Sequence, residues 1–182
     1  YDAALALKPD LHAALNNKGL ALAILGRYEE AIAAYDAALA LKPDLHEALN
    51  NKGLALGELG RHEEAITAYD AALALKPDLH EALNNKGLAL AILGRYEEAI
   101  AAYNAAIAIN SEDPSPYYNN ACCYGLQGKV EPALEYLQQA IQLSPEKYRE
   151  LAQTDTDFDV IRNDSRFQAL ITVENKVSES KG

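Results

Sequence analysis

Two apolar stripes alternate along this chain, each with the period of a helix. Leu45, Ala48, Leu49, Gly53, Leu56 and Leu59 form the first, and Ala65, Ile66, Tyr69, Ala72 and Leu73 the second after a short break. Gly60 falls in the break, where a helix C-terminus accepts positive φ. Pro77 closes the second stripe, because proline lacks the N–H that a helix interior needs. Asp44 with Glu47, and Asp78 with Glu81, have capping-box spacing ahead of the next stripe, with Asp in place of Ser or Thr. Such a cap contributes about 1 kcal/mol per helix. Alanine fills many remaining positions, favouring helix and letting neighbouring helices approach closely. The pattern predicts an all-α chain of paired helices.

The pair itself recurs. Residues 12–45, 46–79 and 80–113 are each 34 residues long, and the first two differ at only five positions: Ala13/Glu47, Ala23/Gly57, Ile24/Glu58, Tyr28/His62 and Ala33/Thr67. A diverged fourth repeat, 114–147, keeps the register, and residues 1–11 repeat residues 35–45, as the second-helix half of a truncated repeat would. A period between about 20 and 50 residues marks a solenoid, in which each repeat buries its apolar face against the next. The pattern breaks at Thr154, and residues 148–182 read as a closing segment. A last repeat leaves an apolar face open, which Phe158, Val160, Ile161, Phe167, Leu170 and Ile171 are expected to cover. A final helix is expected over 165–176 and a frayed end over 178–182.

These residues resemble the tetratricopeptide repeat, whose pattern runs W-x2-L-G-x2-Y, A-x3-F, P. Gly53, Ala65, Tyr69 and Pro77 keep its small–small–aromatic–proline skeleton, while Leu49, Lys52 and Leu56 depart from the commonest residues. Gly53 and Ala65 are expected to face each other where the helices cross. The fourth repeat keeps Tyr117, Tyr124, Ala133 and Pro145, with Ala121 at the glycine position. Residues 155–167 are similar to the segment that closes tetratricopeptide arrays in many bacterial proteins. The resemblance implies a right-handed superhelical solenoid of antiparallel helix pairs with a C-terminal helical cap.

Charge narrows the function. The chain has 16 Lys+Arg against 27 Asp+Glu, a net charge of −11, which argues against a nucleic-acid surface. No apolar run reaches the roughly 18–20 residues of a membrane helix, so no membrane partner is expected, and no secretory core opens the chain. With no Met, the sequence reads as a processed chain or an excerpt. Cys122 and Cys123 are adjacent and make no disulfide framework, so a reducing, cytoplasmic setting is expected.

Catalysis has few parts here. Residues 1–110 hold no Ser, no Cys and one Thr, Thr67, and neither a phosphate loop nor a G-x-S-x-G elbow occurs. The expectation is a non-enzyme with no cofactor and no metal. His12, His46 and His80 recur once per repeat, but helices about 10 Å apart cannot bring them within the roughly 2 Å of a Zn–N bond. They read as surface residues at helix starts. Asp155-x-Asp-x-Asp159 lacks the Gly and Glu of a calcium loop, with Val160 and Arg166 in their places. Cys123 stands where Ala21, Ala55 and Ala89 stand, and Cys122 where Leu20, Leu54 and Leu88 stand, so both read as packing residues. Lys18, Lys52 and Lys86 read as snorkelled lysines. Glu29-Glu30, Glu63-Glu64 and Glu97-Glu98 open second helices, where the dipole favours acids.

The asparagine pairs Asn16-Asn17, Asn50-Asn51 and Asn84-Asn85, with Asn119 in the fourth repeat, remain. Mid-helix asparagines cost helix propensity. They are either copied along with near-identical repeats or kept for a ligand, and the persistence of Asn119 in a diverged repeat weighs for a ligand. The family resemblance implies that first helices line a concave groove. Asn17, Asn51, Asn85 and Asn119 match the asparagine ladder of the O-linked N-acetylglucosamine transferase superhelix, which holds peptide backbone. Leu20, Leu54 and Leu88 lie beside them to receive apolar side chains, and Glu47, Glu58 and Glu81 favour neutral to basic peptides. The lysines and arginine of a chaperone-tail carboxylate clamp are replaced by Asn16, Asn50, Leu54, Asn84 and Leu88. The expected function is a protein-interaction scaffold binding an extended peptide. A self-assembly module acting through its ends, or the regulatory arm of a longer enzyme, are the alternatives. Weak self-association is expected through apolar atoms around Ala4 and Leu5.

Overall fold

The computed structural model describes residues 11–172. The truncated repeat read at residues 1–11, with Ala4 and Leu5, lies outside them save for Leu11, as does the end over 178–182. Among the described residues there are ten α-helices, one 3-10 turn and no strand. The chain divides into two compact parts, one up to Ile109 and the other from Asn110.

The first part consists of α1 (Leu11–Ile24), α2 (Tyr28–Leu41), α3 (His46–Glu58), α4 (His62–Leu75), α5 (His80–Ile92) and α6 (Tyr96–Ile109). Each second helix packs on the first helix of its own repeat, and α2 and α4 pack also on the first helix of the next. In the second repeat Ala48, Gly53, Ala55 and Leu56 of α3 are buried with Ala65, Ile66, Ala68, Tyr69 and Ala72 of α4. The break between the stripes is a reversal on Gly60, whose φ of 74° is costly for any residue with a Cβ. Gly53 and Ala65 are both buried where α3 and α4 pack. The Tyr69 ring fills the space, and a Cβ on Gly53 would lie 2.5 Å from its Cε1.

The capping boxes do not form. The N-caps of α3 and α5 are Leu45 and Leu79, neither making a side-chain cap bond. Asp44 and Asp78 stand one residue too early, and their backbone carbonyls accept from His46 and His80 N–H at 3.1 Å. Lys52 and Lys86 are half-buried and carry their ammonium groups out to surface carboxylates. Lys52 pairs with Asp36, and Lys86 with Asp70, each at 2.6 Å on the second helix of the preceding repeat. Arg61 likewise bonds Glu64 at 2.6 Å and reaches back to Glu29 at 3.4 Å.

The second part holds α7 (Pro114–Leu126), α8 (Val130–Leu143), α9 (Pro145–Thr154), a 3-10 turn (Thr156–Phe158) and α10 (Ser165–Ile171). Here aspartates do cap. Asp113, Asp155 and Asp164 accept from the N–H two residues on, at 2.9, 3.0 and 2.8 Å. Phe158, Ile161, Phe167 and Ile171 are buried with Tyr118, Leu137, Ile141 and Tyr148 in one core, and the Phe158 and Phe167 ring centroids are 5.2 Å apart. Val160 departs from expectation: it is 70% exposed, with only its Cγ1 close to Gly128 in the turn between α7 and α8. The last helix is also shorter than read. It stops at Ile171, and Thr172 is extended at φ −83° and ψ 126°, at the start of the β-branched pair Thr172-Val173, a poor helix former. Residues 173–176 lie outside the described residues.

Candidate functional site

Helical spacing sets the candidate residues on one side of each first helix of the first part. Asn16, Asn17 and Leu20 lie on α1, Asn50, Asn51 and Leu54 on α3, and Asn84, Asn85 and Leu88 on α5. Leu20, Leu54 and Leu88 are 45%, 43% and 48% exposed, so each repeat offers the same apolar surface to solvent. The asparagines are half-buried, apart from exposed Asn17.

The structure brings some of these residues together. Asn51 Nδ2 donates to Asn16 Oδ1 at 3.4 Å, joining the second asparagine of one repeat to the first of the repeat before. The side chains of the ladder are therefore tied partly to one another, which the spacing alone did not indicate. Asn50 Oδ1 is buried and has no hydrogen-bond partner among the described residues. Leu54, Asn85 and Leu88 line one cavity of about 120 Å³ between α3 and α5, together with Gly57, Glu58, His62, Tyr69, Ala89 and Ile92. Glu58 Oε2 accepts from Tyr28 Oη at 3.3 Å. Burial, and then the charge of Glu58, push the Tyr69 phenol up from its ordinary range.

Gly57, Glu58 and His62 were read in the sequence as differences between the first two repeats, with only Glu58 placed in the groove. Their convergence was nonetheless signalled there, since three of the five differences fall within six residues.

Asn119 belongs to the second part, half-buried on α7. In that repeat Cys122 takes the place of Leu54, and the closing segment covers it. Asp155 Oδ2 accepts from Tyr118 Oη at 2.7 Å and from the Cys122 thiol at 3.7 Å. Gly125, at the register of Gly57, lies against the Asp157 carbonyl and the Phe158 ring, where a Cβ would come within 2.8 Å of each. The second part thus seats its own closing segment against the positions of α7 that match, in register, the exposed Leu54 and the open Gly57.

Cys122, Asp155 and Asp157 bring ligand-type atoms within 4.8 Å of one another. The Asp155 oxygens are engaged as a helix cap and as acceptors, so hydrogen bonding accounts for the cluster. Burial, followed by the two aspartates, pushes the Cys122 thiol up, which suits a packing residue rather than a reactive one. No helix among the described residues is long and apolar enough to cross a membrane.

Known proteins can be set beside this geometry. Residues 50–114 and 114–147 each match a tetratricopeptide repeat family model, and residues 19–60 match a TPR repeat model. Among solved structures, MamA from Desulfovibrio magneticus is 25% identical with a TM-score of 0.72, over 88% of this chain and 95% of that one. A tetratricopeptide repeat protein from Parabacteroides merdae is 23% identical with a TM-score of 0.74, over 92% of this chain and 67% of that one. A further MamA crystal structure is 22% identical with a TM-score of 0.74, over 90% of this chain and 85% of that one. At such identities the likeness is one of fold. No curated protein matches the chain in sequence.

Proposed function

Because this chain belongs to the tetratricopeptide repeat family, whose fold serves protein–protein interaction, we propose that it binds an extended, neutral to basic peptide segment along its first helices. The observation that carries this reading is the row of Leu20, Leu54 and Leu88, equally exposed beside the asparagine pairs. Equivalent residues on neighbouring helices lie about 10 Å apart and an extended peptide advances about 3.3 Å per residue, so every third residue of a ligand meets a repeat. The three rungs on α1, α3 and α5 span about seven residues.

Asparagine amides supply donors and an acceptor to a peptide unit without reading its side chain. Asn16, Asn17, Asn50, Asn51, Asn84, Asn85 and Asn119 take that role, and the leucines receive apolar side chains. The closing segment seated against Cys122 and Gly125 supports the reading, since the register-equivalent positions of the fourth repeat already hold a stretch of chain. Each net hydrogen bond contributes about 0.5–1.5 kcal/mol and ordering the peptide opposes them, so the affinity is near micromolar.

The test is retention of peptides from a proteolytic digest on the immobilised chain, followed by sequencing. Recovery of segments with apolar residues three apart supports the reading, and recovery of no peptide above a blank matrix contradicts it.

A further inference from the structure

The second repeat departs from both its neighbours at three positions that meet in space. Residues 23, 24 and 28, and again 91, 92 and 96, read Ala, Ile and Tyr, whereas the second repeat has Gly57, Glu58 and His62. All three line the cavity of about 120 Å³ that also holds Leu54, Leu88 and Ile92.

Packing explains none of the three. A Cβ on Gly57 would meet nothing within 4 Å, so a glycine that weakens the helix is not demanded by a neighbour. Glu58 is exposed and forms no ion pair among the described residues, its nearest polar partner being the neutral Tyr28 hydroxyl. His62 Nδ1 is buried and has no hydrogen-bond partner among the described residues. The register explains that orphan. One repeat earlier the equivalent contact is Tyr28 to Glu58, but here the residue facing His62 across the cavity is Ile92, which has no polar atom. A carboxylate without an ion pair, lining a cavity whose other walls are largely apolar, is a polar site that a cation completes.

We infer that this cavity is a slot for one lysine or arginine side chain of the bound segment. The inference rests on the groove reading above and adds to it a single position where side-chain identity is read. The aliphatic stem lies against Leu54, Leu88 and Ile92, and the N–H groups of the cationic head donate to the Glu58 carboxylate, with the His62 ring forming part of the wall. An acidic side chain is repelled there, and an apolar one gains the walls but not the charge-assisted contact to the carboxylate.

A fluorescein-labelled positional-scanning library of acetylated decapeptides, read by anisotropy, tests this. The second sample is the variant Gly57→Ala/Glu58→Ile/His62→Tyr, which restores the residues of the flanking repeats, with circular dichroism confirming its fold. For the wild type, pools with Lys or Arg at one position bind about tenfold tighter than pools with Leu there, as a charge-assisted contact provides, and Glu pools bind weakest. The variant loses that preference. Binding by the wild type without a cationic preference, or a preference that survives in the variant, overturns the slot and leaves the groove standing. Failure of every pool to bind the wild type overturns both.

Discussion

Gly53 and the Tyr69 ring are in contact so close that a Cβ on the glycine would lie 2.5 Å from Cε1. Four residues on, a Cβ at Gly57 would meet nothing within 4 Å. Two glycines one turn apart on α3 thus carry opposite consequences. Gly53→Ala must displace a buried ring and is expected to destabilise by about 1–3 kcal/mol. Gly57→Ala relieves a helix-interior glycine and is expected to stabilise by about 0.5–1 kcal/mol. Urea unfolding of the two variants decides it, and shifts of the same sign would show that the α3–α4 contact is described wrongly.

Phe167 is fully buried against Phe158 in the core of the second part. Replacing it by Ala is expected to cost about 3–5 kcal/mol. A repeat protein spreads such a loss over adjoining repeats rather than the whole chain. Amide exchange in Phe167→Ala should therefore rise more over residues 117–143 than over residues 15–41. A uniform rise would mean that the closing segment does not act as a cap.

Asp157 holds its proton more tightly when folded. Burial, then the neighbouring Asp155 charge, raise its pKa above the ordinary 3.8. A raised carboxyl contributes stability fully below the unfolded pKa and loses it as pH rises through the folded value. Ionised Asp157 therefore weighs against the fold at neutral pH. Asp157→Asn should melt higher than the wild type at pH 7, with the difference vanishing below about pH 4. A difference independent of pH would assign the effect to packing.

The helix pairs were legible in the sequence because period, proline and glycine all spoke locally. Gly60 and Pro77 mark the reversals wherever the rest of the repeat goes. The caps were not, because a shift of one residue puts Leu45 rather than Asp44 at the helix start, and that depends on how the turn from Lys42 closes. Asp113, Asp155 and Asp164 cap where they stand because each falls on the first extended residue before its helix. The candidate surface was legible as the exposed face left over once Ala48, Gly53 and Leu56 are buried. The cavity was not, since it needs residues of α3, α4 and α5 at once, and only their departure from the repeat marked Gly57, Glu58 and His62. Val160 was misassigned because an apolar residue in a tight turn has no period to say which side it faces.

The peptide-binding account is tested most directly by titrating a retained peptide against the wild type and against Asn51→Ala/Asn85→Ala. Alanine is the better helix former, so the double variant should keep its fold and its circular dichroism melt. The account predicts that removing two rungs, at about 0.5–1.5 kcal/mol each, weakens binding by roughly five- to a hundredfold. A double variant that melts like the wild type and binds the peptide equally well would contradict it, leaving the asparagines as residues copied with the repeat.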